Sequence, residues 1–118
     1  MESDFFSLPA LAQAIQTRDS KAMRGFYAEN ARMRIIDRDH PPSQPQEIVG
    51  RNAIAAYYDD VSGRTMTHKL ESGVVEGGRL AFTQACAHPN GARVFCSAMA
   101  ELMAGKIVNQ TIVQAWDA

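Results

Sequence analysis

A few polar side chains interrupt apolar stretches of this sequence, and they are the residues with which the chain could do chemistry. Asp37 continues the alternation of Met33 and Ile35, which places its carboxylate on the apolar face of a strand predicted over Ala31–Asp37. A carboxylate in such surroundings is a candidate general base. Asp37 also stands just before a turn-rich stretch, where an aspartate commonly caps a turn, and both roles stay open.

Two adjacent tyrosines lie in the predicted third helix. Gly50–Val61 carries Ile54, Tyr57, Tyr58 and Val61 at helical spacing. A buried phenol usually needs a hydrogen-bond partner. We therefore expect one tyrosine to belong to the core and the other to line a cavity.

The strand predicted over Met66–Glu76 has two alternative registers. A clean two-residue Gly77–Gly78 turn would place Glu71 opposite Gln84 on the inner face, whereas one bulge would bring His68 inward instead. Both His68 and Glu71 are conditional site candidates, and Gln84 shares the inner face in either case.

No metal or cofactor site is predicted. The three histidines, His40, His68 and His88, are widely spaced, and no Cys or His pair has the spacing of metal ligands. No phosphate-binding glycine loop or nucleophile elbow is present in the sequence. We expect the protein to use its side chains alone.

The two cysteines flank a Pro-Asn-Gly turn. If Gly91 takes the left-handed conformation in a three-residue loop, Cys86 faces Val94 and Gln84 faces Cys96, which leaves the two sulfurs diagonal. In a reducing compartment this arrangement favours free, buried thiols over a disulfide.

These candidates must be positioned by helices in the first half of the chain and by a meander of strands in the second. The first helix is capped by Ser7, and the second opens at Asp19 or Ser20 with Ala22, Met23, Phe26 and Tyr27 on one side. Three prolines make His40–Gln46 a surface loop and a candidate lid. Strands with Gly-centred turns between them fill the last forty residues.

Composition indicates one globular domain over residues 1–118. Hydrophobic residues make up 46% of the chain, and 12 basic residues balance 13 acidic ones. This balance does not favour nucleic acid or a membrane surface, and the sequence lacks an apolar run of membrane-spanning length. We expect a cytoplasmic protein whose partner is a small molecule or another protein.

Both faces of the predicted meander are largely apolar. One carries Leu80, Phe82 and Cys86, and the other carries Phe95, Met99 and Met103. Both faces therefore need covering. The helices cover the first, and we predict that a second subunit covers the outer one in a homodimer.

The order of elements and three short phrases resemble the cone-shaped nuclear transport factor 2-like fold. The phrases are Phe-Tyr-Ala-Glu-Asn-Ala, Val-Gly-Arg-Asn-Ala-Ile, and Ala-Gly-Lys-Ile-Val with the closing Gln-Ala-Trp-Asp. The chain looks closest to the SnoaL-like branch, which includes polyketide cyclases and ketosteroid isomerase relatives. The resemblance implies an α+β fold in which a curved antiparallel sheet wraps around the N-terminal helices, as in a cystatin-like α+β barrel.

The resemblance also implies where catalytic groups would stand. The oxyanion tyrosine of the isomerase falls on Leu11, its base on Ile35, and the acid of the cyclases on Ala98, whereas the third-helix tyrosine survives as Tyr58. Without a base and an oxyanion donor the known enolisation cannot run.

By the same resemblance, Gln110 and Gln114 of the last strand look into the cavity. A clean Ala104–Gly105 turn would invert that strand, so this placement stays open. With Gln84 and Tyr58 the two amides would give a neutral, hydrogen-bonding lining.

Three functions follow as hypotheses. The first is a pocket protein that binds a small, mostly apolar ligand. The second is a cyclase, isomerase or hydratase for a polyketide- or steroid-like substrate, with Asp37 as base and help from Tyr58 and from His68 or Glu71. The third is a dimeric scaffold whose cone is filled.

Overall fold

The structure, a computed structural model, describes residues 5–117 as three helices against one six-stranded sheet. The elements in chain order are α1 (Leu8–Thr17), α2 (Ser20–Arg24), β1 (Tyr27–Ile36), β2 (Gln46–Val49), α3 (Arg51–Ser62), β3 (Thr67–Glu76), β4 (Arg79–Ala87), β5 (Arg93–Met103) and β6 (Lys106–Trp116). This is the α+β class that the sequence predicts. Among the described residues, no helix has both the length and the apolar character needed to cross a membrane.

The strand order is β2-β1-β6-β5-β4-β3. Neighbouring strands run antiparallel except β1 and β6, which are parallel, so the predicted antiparallel sheet contains one exception. The parallel pair joins the first strand of the chain to the last. It brings Met33 beside Gln110 and Ile35 beside Ile112 in the middle of the sheet.

The core lies between the helices and the inner face of the sheet. Side chains that are almost fully removed from water there include Leu11 of α1, Ile54 of α3, Leu80 of β4 and Ile107 of β6. Closest packing occurs at Gly73 of β3, where an added Cβ would lie 3.0 Å from a methyl carbon of Leu8. The sheet therefore approaches α1 most tightly where it lacks a side chain.

The first two helices begin where the sequence predicts. Ser7 Oγ accepts a hydrogen bond from the amide of Ala10 at 3.1 Å, and Asp19 Oδ1 accepts one from the amide of Ala22 at 3.0 Å. The prediction that Tyr27 continues the apolar side of α2 is wrong, because α2 ends at Arg24 and Tyr27 is the first residue of β1.

The stretch after β1 contains a strand that the sequence did not reveal. Its prolines confine the loop to a short turn, in which the amide of Gln44 donates to the carbonyl of Pro41 at 2.8 Å. The chain then returns along the outer edge of β1 as β2, with Gln46 beside Ile35. Prolines at the start of a segment do not prevent an edge strand immediately after them.

The β3–β4 and β5–β6 hairpins each contain a two-residue turn with glycine and, further along the strand, one extra residue. Glu76 pairs with Arg79 across Gly77–Gly78, but the register shifts between Leu70 and Ser72, so that Glu71 is the bulged residue. Of the two registers that the sequence allows for this strand, the structure therefore has the bulged one, and His68 points toward the core.

The β5–β6 hairpin also combines a two-residue turn with one extra residue. Met103 pairs with Lys106 across the Ala104–Gly105 turn, yet Glu101 pairs with Asn109, so Val108 is the extra residue. A clean turn would have inverted the strand, and the bulge restores the inward face.

The turn between the cysteines has the predicted form. Gly91 has φ of +91°, and His88 and Ala92 close the loop with a 2.9 Å hydrogen bond. Cys86 pairs with Val94 and Gln84 with Cys96, and both thiols are free and buried, as predicted.

Candidate functional site

A small cavity of about 80 Å³ lies inside the fold between the helices and the inner face of the sheet. Most of its walls are apolar, with Phe82, Ala98 and Ile112 from the sheet and Ile15 from α1. Its polar or titratable lining consists of Tyr57, Tyr58, Arg64, His68, Gln84, Cys86, Cys96, Gln114 and Trp116. Ligand sites for drug-sized molecules measure roughly 300–1,000 Å³, so this cavity has room only for a much smaller compound.

The structure brings four of the predicted site residues together at this cavity: Tyr58, His68, Gln84 and Gln114. Gln110 is fully buried beside them in the core, where it contacts Tyr27. Glu71 is exposed because it is the bulged residue of β3. The roles of these residues in ligand binding remain predictions.

Asp37 lies at the end of β1, outside the cavity lining. Its Oδ1 accepts a hydrogen bond from the amide of Asp39 at 2.9 Å and lies 2.8 Å from Nδ1 of His40. His40 also closes the turn through backbone hydrogen bonds with Asp37 in both directions. The carboxylate therefore caps the turn, one of the two roles that the sequence left open, and its role as a base stays untested.

A chain of three buried polar groups crosses the core beside the cavity. Tyr27 Oη donates to Oε1 of Gln110 at 2.5 Å and lies 2.8 Å from Oη of Tyr58. Since the only hydroxyl proton of Tyr27 goes to Gln110, Tyr58 must donate to Tyr27. Burial is the main cause that raises the pKa of Tyr58 well above its ordinary value, and it also raises that of Tyr27.

Tyr57 also lines the cavity, with its ring centroid 5.2 Å from that of Tyr58. Burial, followed by the proximity of Cys96, raises its pKa to about 12, while a hydrogen bond with Gln114 acts in the opposite direction. A bond that lowers a phenol pKa favours the phenolate, so Tyr57 accepts from the amide of Gln114 and keeps its own proton free. Gln114 Oε1 in turn accepts from the indole nitrogen of Trp116 at 3.2 Å.

A cluster built around Cys86 forms a third polar group in the lining. Nδ1 of His68 lies 3.0 Å from the sulfur, and Nε2 of Gln84 donates to it at 3.2 Å. A hydrogen bond from Cys96 is the largest cause that lowers the pKa of Cys86, burial opposes it, and the bonds from His68 and Gln84 lower the pKa further. The same contact raises the pKa of Cys96.

Sequence reasoning missed two of the residues that build this site. Tyr27 was assigned to a helix stripe, although a buried tyrosine should have prompted a search for a hydroxyl partner. Trp116 was noted only within a family phrase. The cysteines were expected to be buried, but nothing in their spacing reveals that His68 would lie beside one of them.

The lining holds donors and acceptors but no carboxylate. Leu11, Ile35 and Ala98, the positions at which the resemblance places an oxyanion donor, a base and an acid, are buried apolar residues. Within residues 5–117, no group of three His, Cys, Asp or Glu side chains could hold a metal ion. The site can therefore polarise or bind a ligand through neutral groups, through Arg64 and through the Cys86 thiol.

The SnoaL-like domain matches residues 9–110, which is most of the chain. The chain belongs to the SnoaL-like domain family. Its curved sheet and helix order are those of the nuclear transport factor 2-like fold, as the resemblance implied. Comparison with curated proteins found no match.

Solved structures with this fold share little sequence with the chain. A nuclear transport factor 2-like protein of unknown function from Mesorhizobium loti superposes with a TM-score of 0.79 at 17% identity, covering 92% of this chain and 87% of its own. A provisionally assigned ketosteroid isomerase from Kribbella flavida gives a TM-score of 0.74 at 14% identity, covering 93% and 74%. IdmH of Streptomyces antibioticus, a provisionally assigned polyketide cyclase, gives 0.65 at 18% identity, covering 91% and 88%.

Proposed function

We propose that this SnoaL-like protein binds a small, mostly apolar molecule that carries a carbonyl group. The observation that carries the proposal is the interior cavity of about 80 Å³, which has apolar walls and a few convergent polar groups. A water molecule occupies about 30 Å³ of liquid. The ligand is therefore closer in size to a small ring ketone than to a steroid.

The preference for a ligand with a carbonyl group follows from the hydroxyl and ring protons of the lining that remain available to a ligand. Tyr58 has given its proton to Tyr27, so it can only accept a hydrogen bond from a ligand. Tyr57 keeps its proton, and Nε2 of His68 is buried without a hydrogen-bond partner. These two groups favour a ligand that accepts hydrogen bonds.

Enolisation of the isomerase type is less well supported by the geometry. That reaction needs a base beside the carbon that loses its proton. Asp37 is occupied by Asp39 and His40 at a turn, and no other carboxylate lines the cavity. An enzymatic role is the alternative to binding alone, because the similar structures from Kribbella flavida and Streptomyces antibioticus are provisionally named as a ketosteroid isomerase and a polyketide cyclase.

A thermal-shift titration with cyclopentanone tests the proposal. A ligand at about 100 times its dissociation constant stabilises a protein by about 2.7 kcal/mol, which is visible as a rise in melting temperature. We expect Tyr57→Phe to reduce this rise, because it removes the free phenolic proton. Tyr58→Phe is the matched control and should leave the rise unchanged, since the Tyr58 proton already serves Tyr27.

Two results would contradict the proposal. One is the absence of any shift with cyclopentanone and with its saturated and aromatic relatives. The other is an equal loss in Tyr57→Phe and Tyr58→Phe, which would mean that the shift does not depend on the free proton.

We further propose that the outer face of the sheet joins two copies of the chain. Its side chains include Phe95, Met99, Met103 and Val113, which are 48%, 62%, 69% and 46% exposed. Large exposed apolar side chains on one face are typical of a protein interface. Arg79 and Glu101 lie side by side on β4 and β5, so this face also carries both signs of charge for a second copy.

Light scattering coupled to size exclusion tests the homodimer. We expect a dimer at micromolar concentration, and we expect Met99→Glu to convert it to a monomer, because two carboxylates would be buried at the interface. Ala56→Glu, on the exposed side of α3, is the control and should remain dimeric. A monomeric native protein would refute the proposal.

A further inference from the structure

Cys86 sits in an arrangement that a structural thiol does not require. Its sulfur has contacts with Nδ1 of His68 at 3.0 Å and with Nε2 of Gln84 at 3.2 Å. A buried structural cysteine normally behaves as a small hydrophobe with a weak donor. Here two nitrogen groups contact one sulfur, and such surroundings stabilise a thiolate.

The two thiols are poorly placed to form a disulfide with each other. Cys86 pairs with Val94, and Cys96 pairs with Gln84, so the cysteines are diagonal neighbours on β4 and β5. Diagonal Cα atoms lie roughly 7–8 Å apart, whereas disulfides usually need less than about 6.8 Å. Both thiols are therefore free, and Cys86 is the one that has a histidine nitrogen beside its sulfur.

His68 supplies the second, independent observation. The side chain is only 9% exposed and lines the cavity, and its Nε2 has no hydrogen-bond partner. If Cys86 keeps its proton and donates to Nδ1, the ring proton must sit on Nε2; if the proton has moved to Nδ1, both nitrogens carry protons. In either of these states Nε2 is a free donor facing no protein acceptor.

We propose that Cys86 is a nucleophile that adds covalently to a small α,β-unsaturated carbonyl compound bound in the cavity, with His68 as its proton partner. The proposal deepens the proposed function, on which it rests for entry of the ligand, by naming the class of carbonyl compound. A thiolate is a soft nucleophile, and the β-carbon of an enone is a soft electrophile, so the two are matched in reactivity.

The reaction is balanced without any further reactant. The Cys86 sulfur forms a bond to the β-carbon, and the π electrons of the carbon–carbon double bond move toward the carbonyl to give an enolate. Nε2–H of His68 can donate to the enolate oxygen, and the proton that left Cys86 for Nδ1 of His68 returns to the α-carbon. The product is a thioether ketone, and no atom is oxidised or reduced overall.

A ligand can reach His68 and Cys86 from the interior cavity and from the protein surface. His68 and Cys86 line the interior cavity and also an open depression on the surface, together with Thr67, Lys69 and Arg93. The titratable or charged groups that share the cavity lining with Cys86 are Tyr57, Tyr58, Arg64, His68 and Cys96. The Arg64 guanidinium is paired with Asp60 at 2.6 Å, so His68 is the lining group that can carry positive charge beside the Cys86 sulfur.

Intact-protein mass spectrometry after incubation with 2-cyclopentenone tests the inference. We expect a single adduct, and peptide mapping should place it on Cys86 and not on Cys96, which serves as an internal control in the same molecule. At pH 6 the native protein should react about tenfold or more faster than His68→Gln, because an ordinary thiol is mostly protonated at that pH. Cys96→Ser should still form the adduct.

Two results would overturn the inference: an adduct on Cys96 or on both cysteines at equal rates, or no adduct with the native protein. Cyclopentanone, the saturated analogue, distinguishes the causes of failure. If cyclopentanone raises the melting temperature but 2-cyclopentenone forms no adduct, the cavity binds carbonyl ligands and only the nucleophile is refuted. If neither compound has an effect, the proposed function fails together with this inference.

Discussion

At the scale of single residues, one hydroxyl group joins two strands and a helix. Tyr27 donates to Gln110 on the neighbouring strand and accepts from Tyr58 on α3. The Tyr27 hydroxyl therefore contributes more to the free energy of unfolding than either partner, since its removal leaves two buried polar groups without their hydrogen bonds.

This difference can be measured with two matched substitutions. Tyr27→Phe should lower the free energy of unfolding by about 1–3 kcal/mol, because it orphans both Oε1 of Gln110 and the Tyr58 hydroxyl. Tyr58→Phe should cost less, since the bond from Tyr27 to Gln110 survives. Urea unfolding measures both values, and a larger loss in Tyr58→Phe would contradict the donor order given above.

The positions of such polar residues were only partly predictable from the sequence. Gln84 could be placed from alternation alone, because it lies in a regular stretch of β4 between two well-marked turns. Tyr27 could not, because its spacing from Met23 fits a helix as well as the first turn into a strand. Asp37 fits an inward alternation and a turn cap equally well, and only the contacts with Asp39 and His40 show the cap.

At the scale of elements, the β5–β6 turn uses an unusual residue. Ala104 has φ of +51° and Gly105 has φ of +75°, so both central positions of the turn are left-handed. Turns of this type favour Asn-Gly, because a residue with a Cβ other than Asn or Asp is strained there.

Ala104→Asn should therefore stabilise the protein, by about 0.5–1 kcal/mol, through relief of this strain. Thermal unfolding measures the change as a higher melting temperature. The control is Ala56→Asn on the exposed face of α3, where asparagine is a poorer helix former than alanine and should destabilise slightly. Equal effects at both positions would show that the turn is not strained.

Element boundaries were predictable wherever glycine or a capping residue marks them. The strands β4, β5 and β6 begin and end close to their Gly-centred turns, and α3 begins beside Gly50, which has φ of +93°. The edge strand β2 was not predictable, because it is short and follows prolines. A bulge in the strand over Met66–Glu76 was one of two alternatives, but the positions of both bulges could not be predicted, since Glu71 and Val108 have no feature that distinguishes an extra residue from a paired one.

At the scale of the whole molecule, the fold protects every tyrosine of the chain from ionisation. The pKa of Tyr57 is raised to about 12, and those of Tyr27 and Tyr58 are also raised, mainly by burial. The chain has three tyrosines, so unfolding exposes all of them to ionisation at their ordinary pKa near 10.

This protection makes stability depend on alkaline pH. Folded pKa values above the unfolded ones mean that the contribution is complete below about pH 10 and is lost as pH rises further. Each tyrosine adds a slope of up to about 1.4 kcal/mol per pH unit. Urea unfolding between pH 9 and 11 should show this loss, with a shallower slope in Tyr58→Phe; phenolate absorbance from the native protein near pH 10 would contradict it.

The overall architecture was the most predictable feature, because it depends on the sum of many turns and stripes and tolerates a few misplaced residues. The α+β class, the wrapped helices and the family all agree with the sequence-based expectation. The size of the cavity did not follow from the sequence. Small residues such as Ala98 line it, but so do larger side chains including Phe82 and Met66.

The bulges at Glu71 and Val108 have a consequence for comparing this protein with its relatives. Each extra residue reverses which side of its strand faces inward from that point onward. A relative without the extra residue must be aligned with a gap at that position; a gap placed in the nearby Gly turn would shift residues 71–76 or 106–108 by one and equate inward residues with outward ones. The two faces of these strands can then be matched between relatives only when the gap is assigned to the strand and not to the loop.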